Sequence, residues 1–187
     1  MGLYHSSVII ITSDHGELLG EHGFYHHSTP MYEGVIKIPL VIKFPYSKRV
    51  EREKRMITLV DLYPTILSIC QMPIPDGISG KAIGNAPSHA VSELYKYETG
   101  KQRILYDGEY KYMSYEHTRP PELYKMNNDP KEKENLSGKL PEVTSTMVRK
   151  LKSWEETHRP KHTSSTEQKT SLSKEVLEEL KALGYIQ

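Results

Sequence analysis

The chain has 187 residues, with 25 Lys and Arg against 24 Asp and Glu, a formal net charge of +1 and one cysteine. The near balance of charge gives no reason to expect nucleic acid as a partner. One cysteine excludes an intramolecular disulfide framework. The longest apolar stretches are strand-sized, so we expect no membrane-spanning segment, and no signal peptide is visible.

The first predicted element is a strand that ends in two metal donors. The apolar run Val8 to Ile11 stops abruptly at polar residues and glycines, a pattern typical of a parallel strand buried on both faces. Asp14 and His15 lie at its carboxyl end, where α/β sheets place ligands. Their oxygen and nitrogen suit a divalent ion, but two donors are too few for a closed site.

A shaped loop follows this strand and leads to a second one. Glycines at positions 16, 20 and 23 permit tight turns, and His26 and His27 precede the strand candidate Ile38 to Phe44. From spacing alone, a plain strand-end turn with surface histidines explains the segment about as well as a metal site does.

The middle of the chain predicts a helix and then a small sheet. Asp61 is a candidate helix N-cap, and the apolar side of this helix includes Cys70, which we interpret as a buried hydrophobe. After a Pro- and Gly-rich loop, short β-prone runs surround Asp107-Gly108, a strong hairpin signal.

The C-terminal third predicts a docked helix. Pro141 opens this helix, and its apolar stripe is formed by Val143, Met147, Leu151 and Trp154. We therefore divide the chain into a core region at 1–75, a smaller α+β subdomain at 76–157, a flexible linker at 158–172 and a terminal helix at 173–187.

Several separated motifs together resemble one family. Ser13-Asp-His-Gly-Glu-Leu-Leu-Gly-Glu-His-Gly23, then two histidines, then Tyr32-Glu and Ile38-Pro-Leu-Val-Ile42 strongly resemble the second metal-binding segment of the sulfatases, in the alkaline phosphatase superfamily. Asp129-Pro-Lys-Glu-Lys-Glu-Asn-Leu136 is similar to a later turn of that family. The resemblance covers roughly residues 1–155 and implies an α/β fold: the C-terminal part of an alkaline-phosphatase-like core, with a partial mixed or parallel sheet, and then a small antiparallel-sheet plus helix subdomain.

The resemblance also implies residue roles. Asp14 matches a carboxylate ligand of the family's Ca²⁺, and His15 matches the neighbouring ligand position. His27 matches a Lys or His that contacts the sulfate and the leaving oxygen, with His26 as the alternative. The segment's other polar residues, which we expect to shape the loop or support the ligands, are Glu17, Glu21 and His22.

The family's nucleophile has no counterpart in this chain. It is a Cys or Ser converted to formylglycine within Cys/Ser-x-Pro-x-Arg, and no such stretch occurs here. The first ten residues resemble the end of an internal helix and the start of a strand, so the resemblance implies that the chain begins inside the domain and that formylglycine belongs to a missing N-terminal part.

Three functional hypotheses follow. The first is a sulfuric ester hydrolase, inactive as this chain alone, whose substrate is a sulfated small molecule or glycan and whose partner is the N-terminal half. The second is a phosphodiester or phosphonate hydrolase or a phosphoethanolamine transferase of the same superfamily. The third is a non-catalytic fragment or interaction module. The family is typical of exported, periplasmic or lysosomal proteins.

Overall fold

The computed structural model describes residues 2–27, 30–48, 50–84, 89–96, 100–117 and 119–158, together with residues 173, 176 and 178. Residues 1–157 form one compact unit and residues 158–187 form another. The described residues of the first unit contain two antiparallel sheets and three α-helices. The strands are β1 Ile9–Thr12, β2 Leu40–Lys43, β3 Ala90–Lys96, β4 Gly100–Tyr106, β5 Tyr110–Tyr115 and β6 Glu122–Lys125, and the helices are α1 Glu33–Ile36, α2 Leu62–Ile69 and α3 Pro141–His158.

The first sheet differs from the sequence prediction in strand direction and in burial. β1 pairs with β2 in antiparallel register, with Ile11 opposite Val41, so the pairing among the described residues is antiparallel and not the parallel one that the apolar run predicts. These two side chains are 61% and 57% exposed, so β1 is not buried on both faces here. A β-branched run signals an apolar environment, but it specifies neither strand direction nor which neighbour provides the cover.

The helix region after β2 is held by a buried carboxylate rather than by a simple cap. Asp61 is 3% exposed and accepts hydrogen bonds from the backbone N–H and hydroxyl of Thr58 and from the Lys81 N–H. Its side chain therefore closes the short 3₁₀ turn Leu59–Asp61 instead of capping α2. Cys70 is exposed, contrary to prediction, because its helix face lacks cover among the described residues.

The second sheet is a meander with strand order β3-β4-β5-β6. Strands β4 and β5 join through a turn in which Asp107 accepts the backbone N–H groups of Glu109 and Tyr110 and Gly108 adopts a φ of 89°. The hairpin predicted from Asp107-Gly108 is confirmed. A left-handed φ explains why glycine follows the aspartate at this point.

Both faces of this sheet are covered. One face packs against α3 through Leu105, Tyr112 and Leu123 on the sheet and Met147 and Leu151 on the helix, as the apolar stripe predicts. The opposite face, which includes Ile104, Met113 and Tyr124, packs against residues 1–75, which we call the first region. The contacting residues there are Leu18, Met31, Tyr32 and Val35. This second cluster fixes the loop after β1 to the sheet.

No helix among the described residues is long and apolar enough to cross a membrane. The predicted linker at 158–172 and the terminal helix at 173–187 lie outside the described residues, apart from His158 and three isolated positions.

Candidate metal and substrate-contact site

The loop after β1 folds into a narrow hairpin that presents the candidate site. The Leu18 N–H donates to the His26 carbonyl at 3.1 Å, and the Gly20 N–H donates to the Phe24 carbonyl at 2.9 Å. Leu18 is fully buried and anchors the hairpin in the core. Glu17 and His27 therefore lie at the base of the hairpin, beside the end of β1, and His22 lies at its tip.

Close glycine packing fixes the base of this hairpin on α1. The Gly16 N–H donates to the Val35 carbonyl at 2.7 Å. A side chain at Gly16 would overlap the Gly34 carbonyl oxygen, so only glycine allows this approach. The position of α1 thus sets the position of the two residues immediately before Gly16, which are the candidate metal ligands.

Asp14 and His15 present their donor atoms side by side. The His15 Nδ1 lies 2.9 Å from the Gly16 carbonyl oxygen, and since a carbonyl can only accept, Nδ1 carries a proton, which leaves the lone pair on Nε2 in the neutral ring. Nε2 lies 3.8 Å from Asp14 Oδ2. The His15 N–H donates to Asp14 Oδ1 at 2.9 Å, and this bond is the main cause of the lowered pKa of Asp14.

His27 lies directly against His15. Their rings stack with centroids 4.5 Å apart and an interplanar angle of 21°. The His27 Nδ1 lies 2.9 Å from Glu17 Oε2, so the carboxylate accepts from Nδ1 and leaves Nε2 available to a ligand. The structure thus brings together four of the predicted site residues: Asp14, His15, Glu17 and His27.

The other predicted residues of the segment point elsewhere. His26 places its ring 5.2 Å from the Phe24 ring, by centroids. Glu21 accepts the Leu19 N–H at 2.6 Å and so shapes the loop. His22, with a φ of 54°, stacks on Tyr32 with the ring centroids 3.7 Å apart.

A buried ion network behind the site was not anticipated from the sequence. Lys111 is fully buried on β5, and its Nζ lies 2.6 Å from Glu132 Oε1 and 3.4 Å from Glu33 Oε1. The backbone N–H of Glu33 donates to Glu132 Oε2 at 2.7 Å. Burial raises the pKa of Glu132 against the opposing effect of Lys111. The network ties α1, and through it the hairpin, to the second sheet.

Two signals in the sequence were available for this network. Lys111 shares its strand face with Met113 at a spacing of two, which is a core-facing register. Glu132 is the central acidic residue of the Asp129 to Leu136 turn. Neither signal predicts that Lys111 and Glu132 form a pair, because the two residues are distant in sequence and only the fold brings them together.

The donors present fit a partial metal site. Among the described residues, no group of three or more His, Cys, Asp or Glu side chains is arranged to hold an ion. The Asp14 carboxylate and the Nε2 of a neutral His15 ring are nevertheless suitable ligands for a divalent cation, and the side chain of Asp14 is 74% exposed. They would form one side of a site whose other ligands come from elsewhere.

Comparison with known proteins identifies the family of this chain. The family model described as "N-sulphoglucosamine sulphohydrolase, C-terminal" matches residues 20–157. Arylsulfatase K of Xenopus laevis is 33% identical over 171 residues, which cover 81% of this chain and 32% of the relative. The chain therefore spans about a third of the length of the curated relatives that it matches.

Solved structures share the fold. A 2-O GAG sulfatase superposes with a TM-score of 0.74 at 20% identity, over 85% of this chain and 38% of the other. The phosphonate monoester hydrolase of Agrobacterium radiobacter gives a TM-score of 0.69 at 22% identity, over 84% and 36%. The same fold thus occurs in a sulfatase and in a phosphonate monoester hydrolase. The family model and the curated relatives are sulfatases, and the chain belongs to the sulfatase family, in which it corresponds to the C-terminal portion.

Proposed function

We propose that this chain contributes the metal-binding and leaving-group side of a sulfuric ester hydrolase active site. The observation that carries the proposal is the contact between His15 and His27, whose rings lie 4.5 Å apart at the carboxyl end of β1. A metal ligand and a substrate-contacting imidazole must lie this close to act on one ester group.

In this proposal Asp14 and His15 hold a Ca²⁺ ion together with ligands that lie outside the matched third of the relatives. Bound there, the cation neutralises the charge of the sulfate and stabilises the charge that develops during cleavage. Asp14 offers Oδ2, since its Oδ1 already accepts the His15 N–H. His15 offers Nε2, since its Nδ1 is occupied by the Gly16 carbonyl.

His27 assists the departing alcohol. Its Nδ1 proton is directed to Glu17, 2.9 Å away, so the ring keeps a fixed orientation with Nε2 toward the substrate. A protonated Nε2 donates its proton to the ester oxygen as the sulfur–oxygen bond breaks, and the alcohol leaves neutral. The nucleophile of this reaction, formylglycine by family analogy, belongs to the part of the relatives that this chain does not match.

We further propose that residues 1–187 alone turn over sulfate esters at a negligible rate. Two ligands do not form a catalytic metal site. The exposed apolar side chains of the first region, such as Ile11 and Val41, fit a surface that the remaining two thirds of a sulfatase covers. On this view that portion is the chain's partner, and a sulfated small molecule or glycan is the substrate.

Phosphoryl chemistry is the second candidate. The similarity of the fold to that of a phosphonate monoester hydrolase favours it. A phosphonate monoester and a sulfate monoester also differ little in size, and the cleavage of either needs a cation and a proton donor. A chimera in which this chain replaces the matching third of Xenopus arylsulfatase K separates the two candidates. We expect it to hydrolyse an aryl sulfate faster than an aryl phosphodiester or phosphonate.

Matched variants make the chimera decisive. Asp14→Ala should abolish turnover, whereas Asp76→Ala, which removes an exposed carboxylate from a loop outside the site, should leave turnover unchanged. Faster hydrolysis of the phosphodiester would favour the second candidate. Turnover by the isolated chain that depends on Asp14 would contradict the proposed need for a partner.

A further inference from the structure

A cleft of about 810 Å³ runs along the same hairpin that carries His27. One wall is the hairpin segment 18–22, the floor includes Tyr32 and the start of α1, and the other wall is the loop 130–133. Its volume lies within the range of small-molecule sites. The cleft begins at Leu18, next to Glu17, whose carboxylate orients His27. The cleft and the proposed ester site therefore share one hairpin.

The acidic side chains of this cleft are already engaged. Glu33 and Glu132 share the buried ammonium of Lys111. Glu21 accepts the Leu19 N–H, and its pKa is lowered chiefly by backbone hydrogen bonds. These carboxylates thus contribute to holding the walls in place rather than to attracting cations from solution.

The basic side chains of the cleft are not engaged. Lys131 and Lys133 line it and are exposed. Within the part of the chain that the structure describes, neither ammonium has an ion-pair or hydrogen-bond partner. They flank Glu132, whose side chain points inward to Lys111. The available charge in the cleft is therefore positive, although the whole chain is nearly neutral.

One wall of the cleft suits a sugar ring. The exposed His22 ring stacks on the buried Tyr32 ring at 3.7 Å between ring centroids, so the open face of the His22 imidazole is a flat surface in the cleft. Flat aromatic surfaces next to charged groups bind rings that carry anionic substituents. From the free lysines, the exposed His22 ring and the shared hairpin, we propose that Lys131 and Lys133 form a subsite for an anionic sugar unit, sulfated or carboxylated, of the substrate whose ester is hydrolysed. This proposal rests on the proposed function, since it extends the same substrate beyond the reacting group.

The test is direct binding by the full 187-residue chain, followed by amide chemical shifts. The probes are a sulfated disaccharide that contains a uronate, its desulfated form that keeps the carboxylate, and neutral cellobiose. We expect shifts at Gly20, His22 and Lys131 with the charged probes and none with cellobiose. Binding of the sulfated probe alone identifies sulfate as the recognised group, and binding of both charged probes identifies any anion; either result supports the subsite.

Lysine variants decide whether the cleft is responsible. Replacing both Lys131 and Lys133 by Ala should weaken binding at least about tenfold, as expected when charge-assisted hydrogen bonds are lost, and Arg at both positions should restore it. Lys152→Ala is the matched control, because Lys152 is exposed on α3, against the opposite face of the sheet. Equal weakening by Lys152→Ala, unchanged binding in the double variant, or equal binding of cellobiose would overturn the proposal.

This experiment is independent of the test of the proposed function. Binding by the isolated chain requires neither the nucleophile nor turnover. An active chimera whose isolated chain fails to bind sugars would refute the subsite alone. An inactive chimera would refute the proposed reaction, whereas the binding result would still establish or refute an anion-binding cleft.

Discussion

The two sheets of this chain contain similar side chains in very different environments. Ile104 on β4 is 1% exposed, whereas Ile11 on β1 is 61% exposed. The four-stranded sheet is covered on one face by α3 and on the other by the first region. The two-stranded sheet leaves its Ile11–Val41 pair open to solvent. The comparison shows that the second sheet completes its core within the described residues, while the first does not.

The candidate site lies on the hairpin after β1, whose Leu18 packs against the second sheet. The hairpin after β1 belongs to the poorly covered region, but Leu18, α1 and the Lys111–Glu132 pair attach it to the well-packed one. We expect the site geometry to depend more on this attachment than on the two-stranded sheet. The following experiments test that expectation.

The largest effect is expected from Lys111→Met. It leaves the Glu132 carboxylate buried without its cation, which costs about 3–5 kcal/mol of unfolding free energy. Lys150→Met is the control, since the Lys150 side chain is 51% exposed in its pair with Asp107, and ion pairs open to solvent contribute about 0–1 kcal/mol. Urea unfolding measures both. Equal losses in the two variants would contradict the role assigned to the buried network.

A pair of isoleucine truncations tests the contrast in burial. Ile104→Ala should destabilise the chain by about 2–5 kcal/mol, because it creates a cavity in a closed core. Ile11→Ala should cost less than about 1 kcal/mol, because its side chain is largely in water already. If urea titration gave similar losses for both, the β1–β2 face would be covered in solution.

The glycine contact between the hairpin and α1 should be sensitive to a single methyl group. Gly16→Ala forces its Cβ onto the Gly34 carbonyl oxygen, and we expect a loss of about 1–3 kcal/mol and faster hydrogen exchange at the Leu18 amide. Gly138→Ala meets no neighbouring atom, so it should be close to neutral. An unchanged hydrogen-exchange rate at the Leu18 amide in the Gly16 variant would show that contact with α1 does not hold the hairpin in place.

The smallest effect concerns acid stability at the β4–β5 turn. Burial would raise the pKa of Asp107, but the Lys150 ammonium and the N–H groups of Tyr110 and Glu109 outweigh it and hold the pKa below the ordinary value of 3.8. A lowered carboxyl pKa stabilises the fold at pH above 3.8, and this contribution is lost as the pH falls further.

Asp107→Asn should therefore reduce stability at pH 7 by about 1 kcal/mol or less and reduce the additional loss of stability between pH 4 and pH 2. Unfolding measured by urea at several pH values checks this prediction. An identical acid dependence in the variant and the parent would assign the acid sensitivity to other carboxylates.

Local signals in the sequence predicted the second sheet well. Asp107-Gly108 specified a hairpin because few residue pairs fit that turn, and the stripe of Met147 and Leu151 specified a docked face of α3. The motif Ser13 to Gly23 placed the candidate donors at a strand end, where the structure also places them. These features depend on neighbours within a few residues, which is why they can be predicted locally.

Features that depend on distant partners were missed. The direction of β1 depends on how β2 returns to it. Asp61 also binds the Lys81 N–H, twenty residues away, and the burial of Lys111 depends on a glutamate twenty-one residues away. Cys70 was expected inside because its helix is apolar, but an apolar face does not identify the element that covers it.

The metal content of the arylsulfatase chimera tests the central claim most directly. If Asp14 is a ligand, the dialysed parent chimera and its Asp76→Asn variant should each retain about one Ca²⁺ ion per chain. The Asp14→Asn variant should lose most of it, because an amide oxygen binds a cation far more weakly than a carboxylate does. Full calcium retention in the Asp14→Asn chimera would contradict the claim that the end of β1 is half of a metal site.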